Sequence, residues 1–377
     1  MIDALGVYVH LPFCPYICPY CDFAKFPHRA SRAKRYLTAL DREIERMGNV
    51  PAATIFFGGG TPNAYDAPSL SALTRRVSQA FPAIGSDERE ISVEVNPELV
   101  RDGDFSAYRA AGVTRISIGV QSFVPAEITT MGRRHTPEDP SRVVHSARAA
   151  GMQNVSMDLI FAIPGQTLES WLHSVDAAIA LGVDHISCYG LTVEEGTPFE
   201  RWERREPAAF PDDDAQAELY GATMDRLEAA GFEHYEISNF ARPGKRCAHN
   251  ENYWRNGDYI GLGVGAASYR DGVRYVNTRD FDAYCAALEE DARIPVQSER
   301  LEGAKRVGEA IMLALRTEQG VETDDFQNRY GIQFEEEYGP VITRLLDNGL
   351  LQRTATQFRL TRRGRMLANS VCAEFLG

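Results

Sequence analysis

Three of the seven cysteines, Cys14, Cys18 and Cys21, fall within eight residues, directly after the apolar run GVYVHLP (6–12). Three thiolates from one tight loop can hold three irons of a [4Fe–4S] cluster and leave the fourth iron open to a substrate or cofactor. Zinc is the alternative: a structural zinc site takes four ligands, and His10 or His28 could supply the fourth. A second candidate is ATIFFGGGTP (53–62), in which Gly58, Gly59 and Gly60 lack a Cβ and let the backbone approach a ligand closely. A third is His249-Asn250-Glu251-Asn252-Tyr253-Trp254. Here a histidine able to ligate iron or contact a carboxylate stands beside two aromatics with polar tips. Cys247 is a soft alternative ligand nearby, and the plainer reading is a polar loop anchored by its aromatics.

The elements that must position these residues alternate regularly. Six β-rich runs, at 6–12, 53–60, 90–97, 115–121, 155–164 and 185–193, are interleaved with amphipathic helical stretches such as 31–48, 68–81 and 167–182. Several runs are apolar at consecutive positions, as in strands buried on both faces of a parallel sheet. The fold class expected is α/β, a partial (β/α)6 barrel with too few strands to close; a doubly wound open sheet is the competitor. The polar, proline-bearing segment 196–213 breaks this rhythm, and 257–277 reads as two strands around an Asp-Gly turn. Helical patterns at 302–316, 322–330 and 335–348, then a hairpin over 350–364, suggest a C-terminal α+β winged-helix-like module. The expected division is a barrel core over 1–195, a barrel extension over 196–298 carrying the histidine motif, and the C-terminal module over 299–377.

The net charge of −13 argues against wholesale binding to polyanions. Arg353, Arg359, Arg362, Arg363 and Arg365 cluster around the hairpin, but 299–377 holds eleven basic and twelve acidic residues, so a partner or domain-packing surface is favoured over DNA. No apolar stretch reaches the roughly 18 residues that span a bilayer. The N-terminus lacks a basic region and a cleavage site, so it reads as a strand rather than a signal peptide. With cysteines unsuited to a disulfide framework, a reducing, cytoplasmic location is expected. GLGVGAAS (261–268) superficially matches a dinucleotide fingerprint but reads better as close packing, and Cys188, Cys285 and Cys372 read as core.

The C-x3-C-x2-C spacing, with the glycine motif one βα unit later, resembles the radical S-adenosylmethionine (SAM) superfamily. YVHLPFC (8–14), GGGTP (58–62), EVNP (94–97), GVQSF (119–123), GRRH (132–135) and DLIFAIPGQT (158–167) are similar to its anaerobic coproporphyrinogen oxidase branch, HemN and relatives, over roughly residues 6–270. The resemblance implies a cluster on Cys14, Cys18 and Cys21 whose open iron is chelated by SAM, which on one-electron reduction yields methionine and a 5′-deoxyadenosyl radical. It implies SAM contacts at Tyr8, Tyr20, Gly59, Gly60, Thr61, Glu94, Gln121, Arg133 and Asp158, all but Tyr20 and Arg133 expected on or just past strand ends.

Two departures separate the chain from the oxidase. Phe23 stands where the oxidase carries a fourth cysteine, and only 13 residues precede Cys14, little room for the long N-terminal extension expected of the oxidase. Both departures are similar to the HemW group of haem chaperones, whose H-N-x-x-Y-W motif matches His249, Asn250, Tyr253 and Trp254. The resemblance therefore implies a haem-binding chaperone without coproporphyrinogen oxidase activity. Its implied partners are haem, haem-acceptor proteins including membrane-bound respiratory enzymes, an electron donor and a second copy of the chain, with no nucleic acid. The rivals are oxygen-independent coproporphyrinogen III oxidase, converting propionates to vinyls, and a radical SAM methyltransferase or haem-degrading relative.

Overall fold

A computed structural model describes residues 5–85 and 89–376. The six expected strands form: β1 (Gly6–Leu11), β2 (Thr54–Gly59), β3 (Glu90–Val95), β4 (Arg115–Gln121), β5 (Asn154–Phe161) and β6 (His185–Gly190). They pair in sequence order, all parallel. Val7, Val9 and Leu11 on one face of β1 join Tyr36, Leu40 and Ile44 of the helix Ala30–Met47 in the main core. This two-sided burial is what the near-continuous apolar runs record. Helix starts follow local chemistry: Asp66 and Thr167 each accept the N–H three residues on, from Ser69 and Ser170.

The sheet extends beyond six strands at both edges without closing. β7 (Glu233–Glu236) and β8 (Asn239–Ala241) add antiparallel to β6. On the other edge β9 (Tyr259–Leu262) runs parallel to β1, followed by β10 (Ala267–Arg270), β11 (Val273–Asn277) and β12 (Val296–Arg300), all antiparallel. The complete order is β12-β11-β10-β9-β1-β2-β3-β4-β5-β6-β8-β7. Segment 257–277 thus holds three strands rather than two, because Gly263 (φ 109°) and Gly265 (φ 71°) break the run. A Cβ on Gly263 would lie 2.9 Å from the His10 carbonyl oxygen, and one on Gly265 would lie 2.7 Å from Ala24 Cβ. These glycines seat the β9–β10 turn against β1 and the cysteine loop; the fingerprint resemblance has no other basis.

Segment 196–213 is ordered structure, not a bare break. Thr197 caps the helix Pro198–Arg205, and Phe199 joins Met131, Ile160 and Ile163 in a small satellite core. The C-terminal part has its own core around Ile311, Phe334, Leu345 and Phe358, from the helices Gly303–Leu315 and Phe334–Asp347 and a three-stranded sheet. It docks on the barrel through two of the arginines that suggested a DNA surface: Arg362 pairs with Asp225 at 2.7 Å, and Arg365 donates to His234 Nδ1 at 2.6 Å. Arg363 and Arg353 act inside the C-terminal part, donating to the Asn348 carbonyl and pairing with Glu335. No helix among the described residues is long and apolar enough to cross a membrane.

Candidate functional site

The cysteine loop leaves the carboxyl end of β1 and is closed on itself. Phe13–Cys14 pairs in parallel with Phe26–Pro27, the His28 N–H donates to the Cys14 carbonyl at 2.8 Å, and the Cys21 N–H donates to Cys18 at 3.3 Å. Lys25 Nζ donates to the carbonyls of Cys21 and Phe23, pinning the turn. Ring contact between Tyr20 and Phe199 at 6.1 Å, and a bond from the Phe199 N–H to the Pro19 carbonyl, lay the helix Pro198–Arg205 against this loop. Burial raises the Cys14 thiol to about 11, so a thiolate there requires a cation to hold it.

Of the two histidines that could complete a zinc site, His10 is already committed. His10 has both ring nitrogens engaged, Nδ1 with Tyr8 Oη at 2.9 Å and Nε2 with the Ala24 carbonyl at 2.6 Å, while His28 packs edge-on against Phe13 and Tyr65. Among the described residues no three His, Cys, Asp or Glu side chains converge on one point as a single ion would require. A cube of irons takes one thiolate at each of three corners, so its ligands are spread around it.

The three cysteines share a cavity of about 590 Å³ with Tyr20, Gly59, Gly60, Thr61, Glu94, Gln121, Arg133 and Asp158. Eight of the nine residues the resemblance implied for SAM are therefore together. Tyr8 is the ninth; it opens instead into the neighbouring barrel lumen and groove. Tyr8 and Asp158 sit mid-strand, in β1 and β5, not at strand ends as expected. The residues present fit an amino acid-like ligand beside a cluster. Arg133, half-buried and held by Asn96 Oδ1 and the Gly119 carbonyl, keeps its buried Nε without an acceptor. Gln121 takes a left-handed φ of 68° at a register shift closing β4, a strained backbone facing this cavity. The glycines do something other than expected: a Cβ on Gly59 would strike the His10 ring at 2.3 Å, and one on Gly60 the Leu11 carbonyl oxygen at 2.7 Å. Their first requirement is close packing of β2 on the root of the cysteine loop.

Glu94 accepts the Gly59 N–H at 3.1 Å, and burial, then the neighbouring Asp158, pushes its carboxyl up to about 8. A carboxyl raised in the fold favours its neutral form, so its contribution to stability is full below its ordinary 4.5 and is lost as pH rises through about 8. Glu94→Gln, with no charge to bury, is expected to melt progressively higher than wild type between pH 4.5 and 8, the difference flat on either side of that window. A constant offset across this range in paired thermal melts would contradict the assignment.

The histidine motif occupies the opposite, amino-terminal end of the strands. The helix Ala248–Trp254 plugs the barrel floor, its first turn held by Glu90, which accepts the N–H groups of Ala248 and His249. Arg115, buried, pairs with Glu90 at 3.0 Å and donates to the carbonyls of Lys245 and Arg246. His249 is 1% exposed, stacks on Phe56, and bonds Thr54 Oγ1 at 2.8 Å and Tyr253 Oη at 2.9 Å. Burial lowers its pKa to about 4. Neither nitrogen is free to ligate iron in this arrangement. Cys247 is equally buried, its thiol donating to Glu90. His249 and Asn250 line the lumen of about 230 Å³, Trp254 lines a separate groove, and Tyr253 lines both, so the motif is divided between two spaces. That division was not legible in the motif.

Residues 8–178 match the family model of the radical SAM superfamily, and 301–367 match the HemN C-terminal domain. The heme chaperone HemW of Bacillus subtilis is 34% identical over 99% of both chains. That of Mycobacterium tuberculosis is 37% identical over 99% of this chain and 95% of its own, and that of Escherichia coli 33% over 100% and 99%. The chain belongs to the HemW family. Membership of the radical SAM superfamily implies a [4Fe–4S] cluster and SAM. Among solved structures, coproporphyrinogen III oxidase (HemN) from Escherichia coli superposes with a TM-score of 0.85 over 99% of this HemW-family chain and 90% of its own, at 23% identity. That likeness shows the fold. Sequence reading passed over several residues that line these spaces, Tyr259, Tyr269 and Arg279 among them, since they come from separated segments with no common motif.

Proposed function

We propose that this protein is a haem chaperone: it binds haem beside a cluster-and-SAM site and hands it to a haem protein. The observation that carries the reading is full-length agreement with relatives that are themselves named heme chaperones. In it Cys14, Cys18 and Cys21 hold the cluster, Arg133 Nε takes a carboxylate of SAM, and Glu94, Gln121 and Asp158 bind its amino and hydroxyl groups. When bound and reduced, that pair supplies one-electron cleavage of SAM. The chain's own contribution is orientation and exclusion of water: Tyr20 and Phe199 hold the loop from one side, and the Phe56–His249 stack fills the floor on the other. The partners that fit this reading are haem-acceptor proteins, membrane-bound respiratory enzymes among them, and a reductant for the cluster.

Phe23 supports the chaperone over the oxidase reading, since it places an exposed ring where the oxidase carries its fourth cysteine. Protein reconstituted anaerobically and given coproporphyrinogen, SAM and reductant is expected to release no CO₂ and form no protoporphyrinogen, while binding haem stably in a separate titration. Propionate decarboxylation at a catalytic rate would overturn the reading.

A further inference from the structure

A groove of about 380 Å³ runs from Trp254 at the floor to Phe23 on the cysteine loop. Its wall is aromatic. Tyr259 and Tyr269 are cross-strand partners on β9 and β10 with rings 6.3 Å apart and 28° from parallel, and Tyr253 meets Tyr259 edge-on at 4.6 Å. Aromatic faces set together in a concave site suit a flat, apolar ligand. Trp254 Nε1 is buried there without an acceptor.

Two residues line both this groove and the cluster cavity, Phe23 and Arg279. Phe23 is 67% exposed, apolar area that a bound ligand would cover. The Arg279 side chain is 65% exposed, with Asp22 at 3.7 Å as its ion-pair partner. Arg274, the other cation of the groove, is already tied to Glu309 at 2.5 Å. The groove therefore offers an aromatic wall, an uncovered phenyl lip and a guanidinium held by a single exposed ion pair, which can turn toward a ligand carboxylate. His10, the imidazole lining it, has both nitrogens engaged, so recognition rests on the ring and its carboxylates.

We propose that this groove seats the haem, with the macrocycle against the Tyr259–Tyr269 wall, Phe23 as the lip shared with the cluster cavity, and a propionate on Arg279. The assignment rests on the haem-chaperone reading and moves the cargo away from His249. Its test is titration of cluster-reconstituted protein with haem, haem dimethyl ester and metal-free protoporphyrin, read by tryptophan fluorescence. Arg279→Gln is expected to weaken haem binding about tenfold and leave the ester unchanged, since one charge-assisted contact is lost. Phe23→Ala should weaken haem and ester alike, metal-free protoporphyrin should bind within about threefold of haem, and Trp254→Phe should remove most of the quenching. Both replaced side chains at Phe23 and Arg279 are exposed, so the fold is not at stake. Tight haem binding unchanged in both variants would overturn the groove and leave the chaperone reading standing. Wild-type protein that binds no haem would overturn both.

Discussion

Cys14→Ala is expected to lose the cluster outright: iron and sulfide after anaerobic reconstitution fall to background, and SAM is no longer cleaved on reduction. The expectation follows from the loop. Cys14 is fixed in the short pairing with Phe26–Pro27, at the carboxyl end of β1. His10 is bonded through both nitrogens, and Cys188, Cys247, Cys285 and Cys372 are buried elsewhere. Cys285→Ala is the control, since this residue is fully buried in the main core away from the cavity. It should assemble a full cluster and lose some stability, as removal of a small buried side chain does. Full iron content in Cys14→Ala would mean that a ligand has been misassigned. Loss in both variants would point to folding rather than ligation.

The second large effect concerns the floor. Glu90→Ala leaves Arg115 buried at 3% exposure without its carboxylate, and deprives the first turn of the helix Ala248–Trp254 of the acceptor for two N–H groups. Breaking one side of a buried ion pair costs about 3–5 kcal/mol. Denaturant unfolding should show that loss, with the double variant Glu90→Ala/Arg115→Met recovering a large part of it because no lone charge remains. If the double variant were as unstable as the single one, the damage would lie in the lost helix contacts instead. Either replacement should also loosen His249, whose N–H depends on Glu90.

The barrel was legible because strands such as β1, β2 and β5 write two-sided burial into consecutive apolar residues while β-rich and helical runs alternate in order, and the cysteine spacing because a cluster needs three thiolates from one loop. What escaped had weaker local signals. The helix Pro198–Arg205 hides two anchoring aromatics, Phe199 and Trp202, in an otherwise charged, proline-flanked stretch. β9 pairs with β1 across about 250 residues of chain, a partnership no local period announces. The H-N-x-x-Y-W motif was visible as a motif, yet its direction was not: a seven-residue helix turns His249 into the floor and Trp254 into the groove. Tyr259, Tyr269, Phe23 and Arg279 meet only through tertiary folding. Histidine looked like the natural partner for haem by residue type; burial and two hydrogen bonds favour the tyrosine wall.

Delivery of haem is the claim on which the rest depends. Haem-loaded, cluster-reconstituted protein should be mixed with membranes depleted of haem, and the haem in each fraction followed over time. The account predicts that haem leaves the protein and appears in folded, spectrally intact membrane haem proteins, faster than an equal amount of free haem enters them. Haem that stays on the protein, or transfer no faster than free haem achieves alone, would contradict it.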